Sequence, residues 1–247
     1  MIVLTSTDNE KVKKYIRLSK KKHRDSTGEF IVEGMHTVLE AFKSGMLEEM
    51  IIEENETIPL PEKCVYVSHD VMKKISAVDT PSTIMGLCKK KDLSNGKLIG
   101  DKILILDQLQ DPGNLGTIIR SACAFGIDSI VLSENTVDLY NPKVVRSTQG
   151  MIFHINIIQK KSSEIIKTLQ ELKIPVYGTN VEFGEDVRTL KEKDKKKFAL
   201  IVGNEGNGVR SDIKEMCDKN LYIKMNNDVE SLNVAIATSI LLYELGR

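Results

Sequence analysis

The chain has 247 residues, enough for one large domain or two smaller ones; folding can bury about 70–75% of the surface an unfolded chain exposes, so no covalent or metal staple is required. Its 35 Lys and Arg balance 35 Asp and Glu, so overall charge points to no partner. Cys64, Cys88, Cys123 and Cys217 are far apart without a Cys-x-x-Cys, a pattern that argues against a disulfide framework or zinc site, while the polar N-terminus and the lack of an apolar run of ~18 residues argue against a signal peptide or membrane span. The expected compartment is the cytoplasm.

The first half, to about Lys91, reads as a small α/β unit. Asp8 can cap a basic helix running to Ser19. From Lys11 to Arg24 there are eight Lys or Arg and no carboxylate, a strip that can follow a phosphate backbone or simply be a solvated helix face. Phe30–Val32 is a strand candidate, turned by Glu33-Gly34 into a helix from His36 to Ser44 that stops at Gly45. Met50–Ile52, Val65–Val67 and Ile84–Leu87 are further strand candidates. The polar stretch Lys89–Gly96 is the expected linker, separating a domain over 1–92 from one over 97–247.

The second half alternates strand and helix. Strands are expected at Ile103–Leu106, Ser129–Leu132, Phe153–Ile157, Val176–Thr179, Ala199–Val202 and Leu221–Ile223. Helices are expected at Leu115–Phe125, Pro142–Thr148, Ser163–Leu172, Ser211–Met216 and Val229–Leu245, with Lys191–Lys197 an exposed charged loop. This order predicts a parallel sheet covered on both faces. Ligands of such sheets bind beyond the carboxyl ends of the strands, where three unusual loops fall.

In the first, Asp111-Pro112-Gly113 is turn chemistry and Asn114 can cap the next helix. Arg120 then sits among Ile118, Ile119, Ala122 and Ala124, and needs water or an anion. The second, Gly203-Asn204-Glu205-Gly206-Asn207-Gly208, lacks the Gly-Lys-Ser/Thr of a Walker A loop and the spacing of a dinucleotide fingerprint. In the third, Ser231-Leu232-Asn233 places a hydroxyl and a carboxamide at the entrance of an otherwise apolar helix. Each is an ordinary turn or cap by itself; together they would converge on one edge of one sheet.

These segments resemble the three signature motifs of the SpoU (TrmH) RNA ribose 2′-O-methyltransferases of the SPOUT superfamily. Asn114-x-Gly116-x-x-x-Arg120 is similar to motif 1, and Gly203-Asn204-Glu205-Gly206-x-Gly208 to motif 2. Ile223-x-Met225 with Ser231-Leu232-Asn233-Val234 is similar to motif 3, although Lys224 stands where the family usually has Pro. Phe30-Ile31-Val32-Glu33-Gly34 resembles, less specifically, the family's accessory RNA-binding domain. Thr148-Gln149-Gly150 is a variable segment expected to affect which nucleotide is accepted.

The resemblance implies a SPOUT α/β domain with a parallel sheet and a trefoil knot. It also implies S-adenosylmethionine as cofactor, no metal, and a homodimer with active sites near its interface. Thr179, Gly203, Ile223, Met225 and Leu232 are the implied cofactor contacts. Arg120 is the implied catalytic arginine, with Asn114, Glu205, Ser231 and Asn233 orienting it and the ribose. Because a guanidinium stays protonated, a clamp on phosphate and ribose is a better role for Arg120 than a base. Lys13, Lys14, Arg17, Lys20, Lys21, Lys22 and Arg24 are expected to hold RNA phosphates. The substrate by analogy is ribosomal RNA, with transfer RNA the alternative. A non-catalytic RNA-binding or ribosome-assembly protein is the competing class, which failure to bind S-adenosylmethionine would favour.

Overall fold

A computed structural model describes residues 2–56, 58, 63–181, 183–226 and 228–246. It divides into two compact units, Met1–Lys91 with Asp138–His154, and Asp92–Val137 with Ile155–Arg247.

The first unit contains, in order, β1 (Val3–Leu4), α1 (Glu10–Arg17), α2 (Lys21–Thr27), β2 (Glu29–Glu33), α3 (Met35–Lys43), β3 (Leu47–Glu53), β4 (Cys64–Val67), α4 (His69–Ile75) and β5 (Ile84–Lys89). Its strands form a mixed sheet in the order β1-β4-β3-β5-β2. Asn9, not Asp8, caps α1 by accepting from the Lys11 N–H at 2.9 Å. Val12 and Tyr15 turn the apolar side of α1 into the core. There the Tyr15 hydroxyl donates to the buried Glu49 carboxylate, which also pairs with Lys11 at 2.6 Å. Gly34, at φ +90°, makes the turn from β2 into α3 that the sequence anticipates.

The second unit begins with β6 (Lys102–Leu106), α5 (Pro112–Ala124) and β7 (Ser129–Leu132). The chain then contributes α6 (Pro142–Ser147) to the first unit. It continues with β8 (Asn156–Gln159), α7 (Ser162–Glu171), β9 (Val176–Thr179), β10 (Glu185–Asp186), α8 (Glu192–Lys195), β11 (Phe198–Val202), α9 (Ser211–Lys214), β12 (Lys219–Tyr222) and α10 (Val234–Gly246). The seven strands lie in the order β10-β12-β9-β11-β6-β7-β8, and every pairing is parallel. All residues of β7 and β11 are buried, as expected of parallel strands covered on both faces. Ile165, Ile166 and Leu169 of α7 join Ile103, Ile105, Val131 and Ile201 in one core cluster. α5 packs with α10, where the Ser121 and Ser239 hydroxyls are 2.7 Å apart.

Several expectations need correction. Phe153 is not in a strand: Gly150, at φ +84°, opens a 3₁₀ turn over Met151–Phe153, and β8 starts only at Asn156. Phe153 instead stacks on Phe30 of the first unit, with ring centroids 6.4 Å apart. The last helix begins at Val234, five residues later than expected, because the Asn233 side chain accepts from the Ala235 N–H at 2.9 Å and caps it there. The loop Lys191–Lys197 contains the short exposed helix α8. Among the described residues no helix is long and apolar enough to cross a membrane.

Candidate active site

The site is built at the carboxyl ends of β6, β9, β11 and β12. Beyond β6, Asp111 caps α5 through the Asn114 N–H at 2.8 Å, with Pro112 in the first turn where its missing N–H costs nothing. Asn114 is therefore not the cap, and its side chain is left for other contacts. Beyond β11, Asn204 and Gly208 exchange backbone hydrogen bonds of 2.9 and 3.0 Å, closing the glycine-rich loop as a tight hairpin. The Asn204 carboxamide donates to the Gln108 carbonyl at 3.0 Å and accepts from the Gly206 N–H at 2.9 Å.

Glu205 joins the two loops. Its carboxylate accepts from the Gln110 N–H at 3.1 Å, the Asp111 N–H at 2.9 Å and the Asn114 carboxamide at 3.2 Å. Asn114 in turn accepts from the Asn233 carboxamide at 3.0 Å. Partial desolvation pushes the Glu205 carboxyl up, but these donors, led by the Asp111 N–H, outweigh it and hold the pKa below the usual glutamate range. Glu205 is consequently an anion at neutral pH, bound into a polar chain that links all three loops.

Beside this chain lies a cavity of about 300 Å³. Thr179, Gly203, Ile223, Met225 and Leu232 all line it, as do Glu205 and Ser231. Lys224 is exposed and does not line it, so this departure from the motif leaves Ile223 and Met225 in place. Asn227 lies outside the described residues. Sequence reading missed Asn180, just beyond β9, and Ala237, Thr238 and Leu241 of α10, whose small or apolar side chains in a helix carry no signal beyond burial. Apolar walls from Val202, Met225 and Leu232, with backbone groups at strand ends and a few hydroxyls and amides, suit the flat, hydrogen-bonding purine of an adenosine-type cofactor.

Arg120 is set apart. It is exposed on α5 and makes no hydrogen bond or ion pair among the described residues. Six residues beyond Asn114, it is rotated about 120° around the helix from it, and it does not line the cavity.

A sequence profile of the SpoU rRNA methylase family matches residues 101–243, and that of the MRM3-like substrate-binding domain matches residues 9–86. The chain belongs to the SpoU rRNA methylase family. The 23S rRNA (guanosine(2553)-2′-O)-methyltransferase RlmP of Bacillus subtilis is 38% identical over 98% of each chain. The AdoMet-bound rRNA methyltransferase of Sinorhizobium meliloti is 30% identical, with a TM-score of 0.87 over 99% of this chain and 97% of that one. A crystallised RNA 2′-O ribose methyltransferase is 29% identical, with a TM-score of 0.85 over 99% of this chain and 98% of that one. The chain is thus an S-adenosylmethionine-dependent RNA ribose methyltransferase with an N-terminal substrate-binding domain.

In this SpoU enzyme the basic strip is less available than its composition suggests. Arg24 is buried: its guanidinium donates to the Leu18 and Ser19 carbonyls, each at 2.8 Å, and pairs with Asp138 at 2.6 Å. It is a structural group and is withdrawn from the RNA contacts. Lys13 pairs with Glu10 at 3.2 Å, Lys14 with Glu29 at 2.7 Å and Lys21 with Asp25 at 2.6 Å. Arg17, Lys20 and Lys22 are exposed and form no ion pair among the described residues.

Proposed function

We propose that this enzyme transfers the methyl group of S-adenosylmethionine to the ribose 2′-hydroxyl of a guanosine in large-subunit ribosomal RNA, at the site equivalent to the one named for the B. subtilis relative. The observation that carries the reading is the convergence of three loops on one polar chain beside one adenosine-sized cavity, with contacts that span 91 residues from the first loop to the second and 119 from the first to the third. The cofactor brings a methyl group already activated by the sulfonium charge. What is left to the protein is to place the hydroxyl in line and manage its proton, and orientation alone can supply ~7–11 kcal/mol.

Thr179, Gly203, Ile223, Met225 and Leu232 hold the adenosine, mainly through backbone groups and apolar contact. Asn114, Glu205, Ser231 and Asn233 orient the ribose, with the ionised Glu205 fixing Asn114 so that its carboxamide cannot turn. Arg120 clamps phosphate and ribose and lowers the pKa of the hydroxyl. The threading of the C-terminal segment as a trefoil knot, and a cytoplasmic location, belong to the same reading. So does a homodimer: α10 leaves Ile236 and Tyr243 54% and 46% exposed, seven residues apart on one side of an apolar helix. Sedimentation at micromolar concentration reads the assembly directly, and a monomer there removes the dimer from the proposal.

Ribose-methylation mapping of total RNA from deletion and complemented cells tests the assignment. The expected result is loss of a single 2′-O-methylguanosine in 23S rRNA, restored by the wild-type gene. A change confined to transfer RNA would replace the substrate, and no change anywhere would favour the RNA-binding class without catalysis.

Among the basic residues, Arg17, Lys20 and Lys22 are exposed and form no ion pair among the described residues, so their charges are offered to phosphates. Changing all three to Ala should reduce the slope of log affinity against log salt by about 2, since each phosphate contact contributes roughly 0.7–0.9. Filter binding with a 23S rRNA fragment gives the slope. If it does not change, the strip is a solvated helix face.

A further inference from the structure

Asp107, the first residue after β6, is wholly buried. Its carboxylate accepts from the Ser162 hydroxyl at 2.7 Å, and from Nε and Nη2 of Arg210 at 3.0 and 3.3 Å. Ser162 is itself buried at the start of α7, and Arg210 immediately precedes α9. The Asp107 N–H also donates to the Val202 carbonyl at 2.8 Å. A carboxylate removed from water costs several kcal/mol unless it is paired and hydrogen-bonded, and a sheet of this kind could be closed at that point with an apolar residue. The position of the pair gives it a use. Arg210 ends the glycine-rich loop Gly203–Val209, and Asp107 begins the loop that leads to Asn114. The two loops are joined again farther out, where Glu205 accepts from Gln110, Asp111 and Asn114.

Three glycines leave the second loop with little conformational preference of its own. The planar guanidinium, fixed by two donors on one carboxylate, sets both its distance and its angle. We propose that Arg210, seated on the Asp107–Ser162 pair, is a positioning residue that holds the glycine-rich loop at the height and tilt from which Glu205 reaches the first loop. The inference rests on the cofactor and catalytic reading given above for what that geometry serves, but the geometry can be tested without it. Arg210 acts through Glu205 and touches no reactant. A lysine in its place keeps the charge but has no fork, so it can restore attraction to Asp107 without restoring the angle.

The test is amide hydrogen exchange by NMR on the full chain, together with calorimetric titration of S-adenosylmethionine. In R210A the Gln110 and Asp111 amides, more than 90 residues from the substitution, should exchange about tenfold faster or more, while the β6 amides Ile103–Leu106 keep wild-type protection. Cofactor affinity should fall about tenfold, and R210K should recover part of both changes. Wild-type exchange at Gln110 and Asp111 in R210A would overturn the proposal. So would acceleration of the β6 amides in step with them, which would make Arg210 a merely structural group. If R210A does not fold, R210K supplies the same comparison. If the wild-type chain binds no S-adenosylmethionine, the cofactor reading falls while the exchange result still decides the role of Arg210.

Discussion

Arg120→Ala is expected to keep S-adenosylmethionine affinity within about twofold of wild type while losing on the order of 10²-fold or more in turnover. Both halves follow from where the side chain sits. Arg120 does not line the cavity and makes no ion pair among the described residues, so its removal takes away no cofactor contact and no folded-state partner. Its helical neighbours Ile118, Ile119 and Ala122 are buried, so α5 remains anchored without it. What disappears is a permanent positive charge on an exposed helix position, available to a phosphodiester and to developing charge on a ribose oxygen. Such a contact is made more strongly in the transition state than in the ground state, and therefore appears in kcat. Arg120→Lys separates the two roles considered for this residue. A clamp tolerates lysine in part, because a cation remains; a base would give lysine its own pH profile, rising toward the ammonium pKa. Calorimetry and single-turnover methylation provide the measurements. Wild-type turnover in Arg120→Ala would remove this residue from the site.

The parallel sheet was legible because its strands are short continuous apolar runs. Ser129–Leu132 and Val176–Thr179 have the same bounds in the structure as in the sequence reading. The same signal misled at Phe153, which is buried against Phe30 in the first unit and not in the parallel sheet. Hydrophobicity reports that a segment is buried, not which surface buries it. Helix His69–Ile75 was missed because Val71, Met72 and Ile75 span too few turns for a period to stand out. Charge counting could not distinguish Arg24 from Arg17, since only the fold brings Asp138 to a residue 114 positions away. The five residues expected around a cofactor were legible as a family pattern and line one cavity. The polar chain from Glu205 through Asn114 to Asn233 was not, because each contact crosses 91 residues or more and none follows from local spacing.

Gly203→Ala is expected to weaken S-adenosylmethionine binding by on the order of 10²-fold, about 2.7 kcal/mol, whereas Gly206→Ala should stay within about threefold of wild type. The contrast depends on what a methyl group meets at each position. At Gly203 it would lie 2.0 Å from the Gly208 carbonyl carbon and 2.1 Å from the Val209 nitrogen, both backbone atoms that no rotamer change can move. The two ends of the loop would have to part, breaking the reciprocal Asn204–Gly208 hydrogen bonds. Asn204 would then be drawn from the Gln108 carbonyl and Glu205 from the Asp111 N–H. Since Gly203, Asn204, Glu205 and Gly208 all line the cavity, one wall of it would be displaced as a unit. At Gly206 the nearest atom is the Asn204 carboxamide oxygen at 3.6 Å, an ordinary contact, and the backbone there is not left-handed. The pair therefore varies loop geometry while keeping the added group the same, which excludes lost glycine flexibility as the cause. Titration calorimetry on both variants, with thermal unfolding to show that each is folded, gives the comparison. Equal affinity in the two would mean that the cofactor does not rest against this loop, and the site would have to be sought elsewhere along the sheet edge.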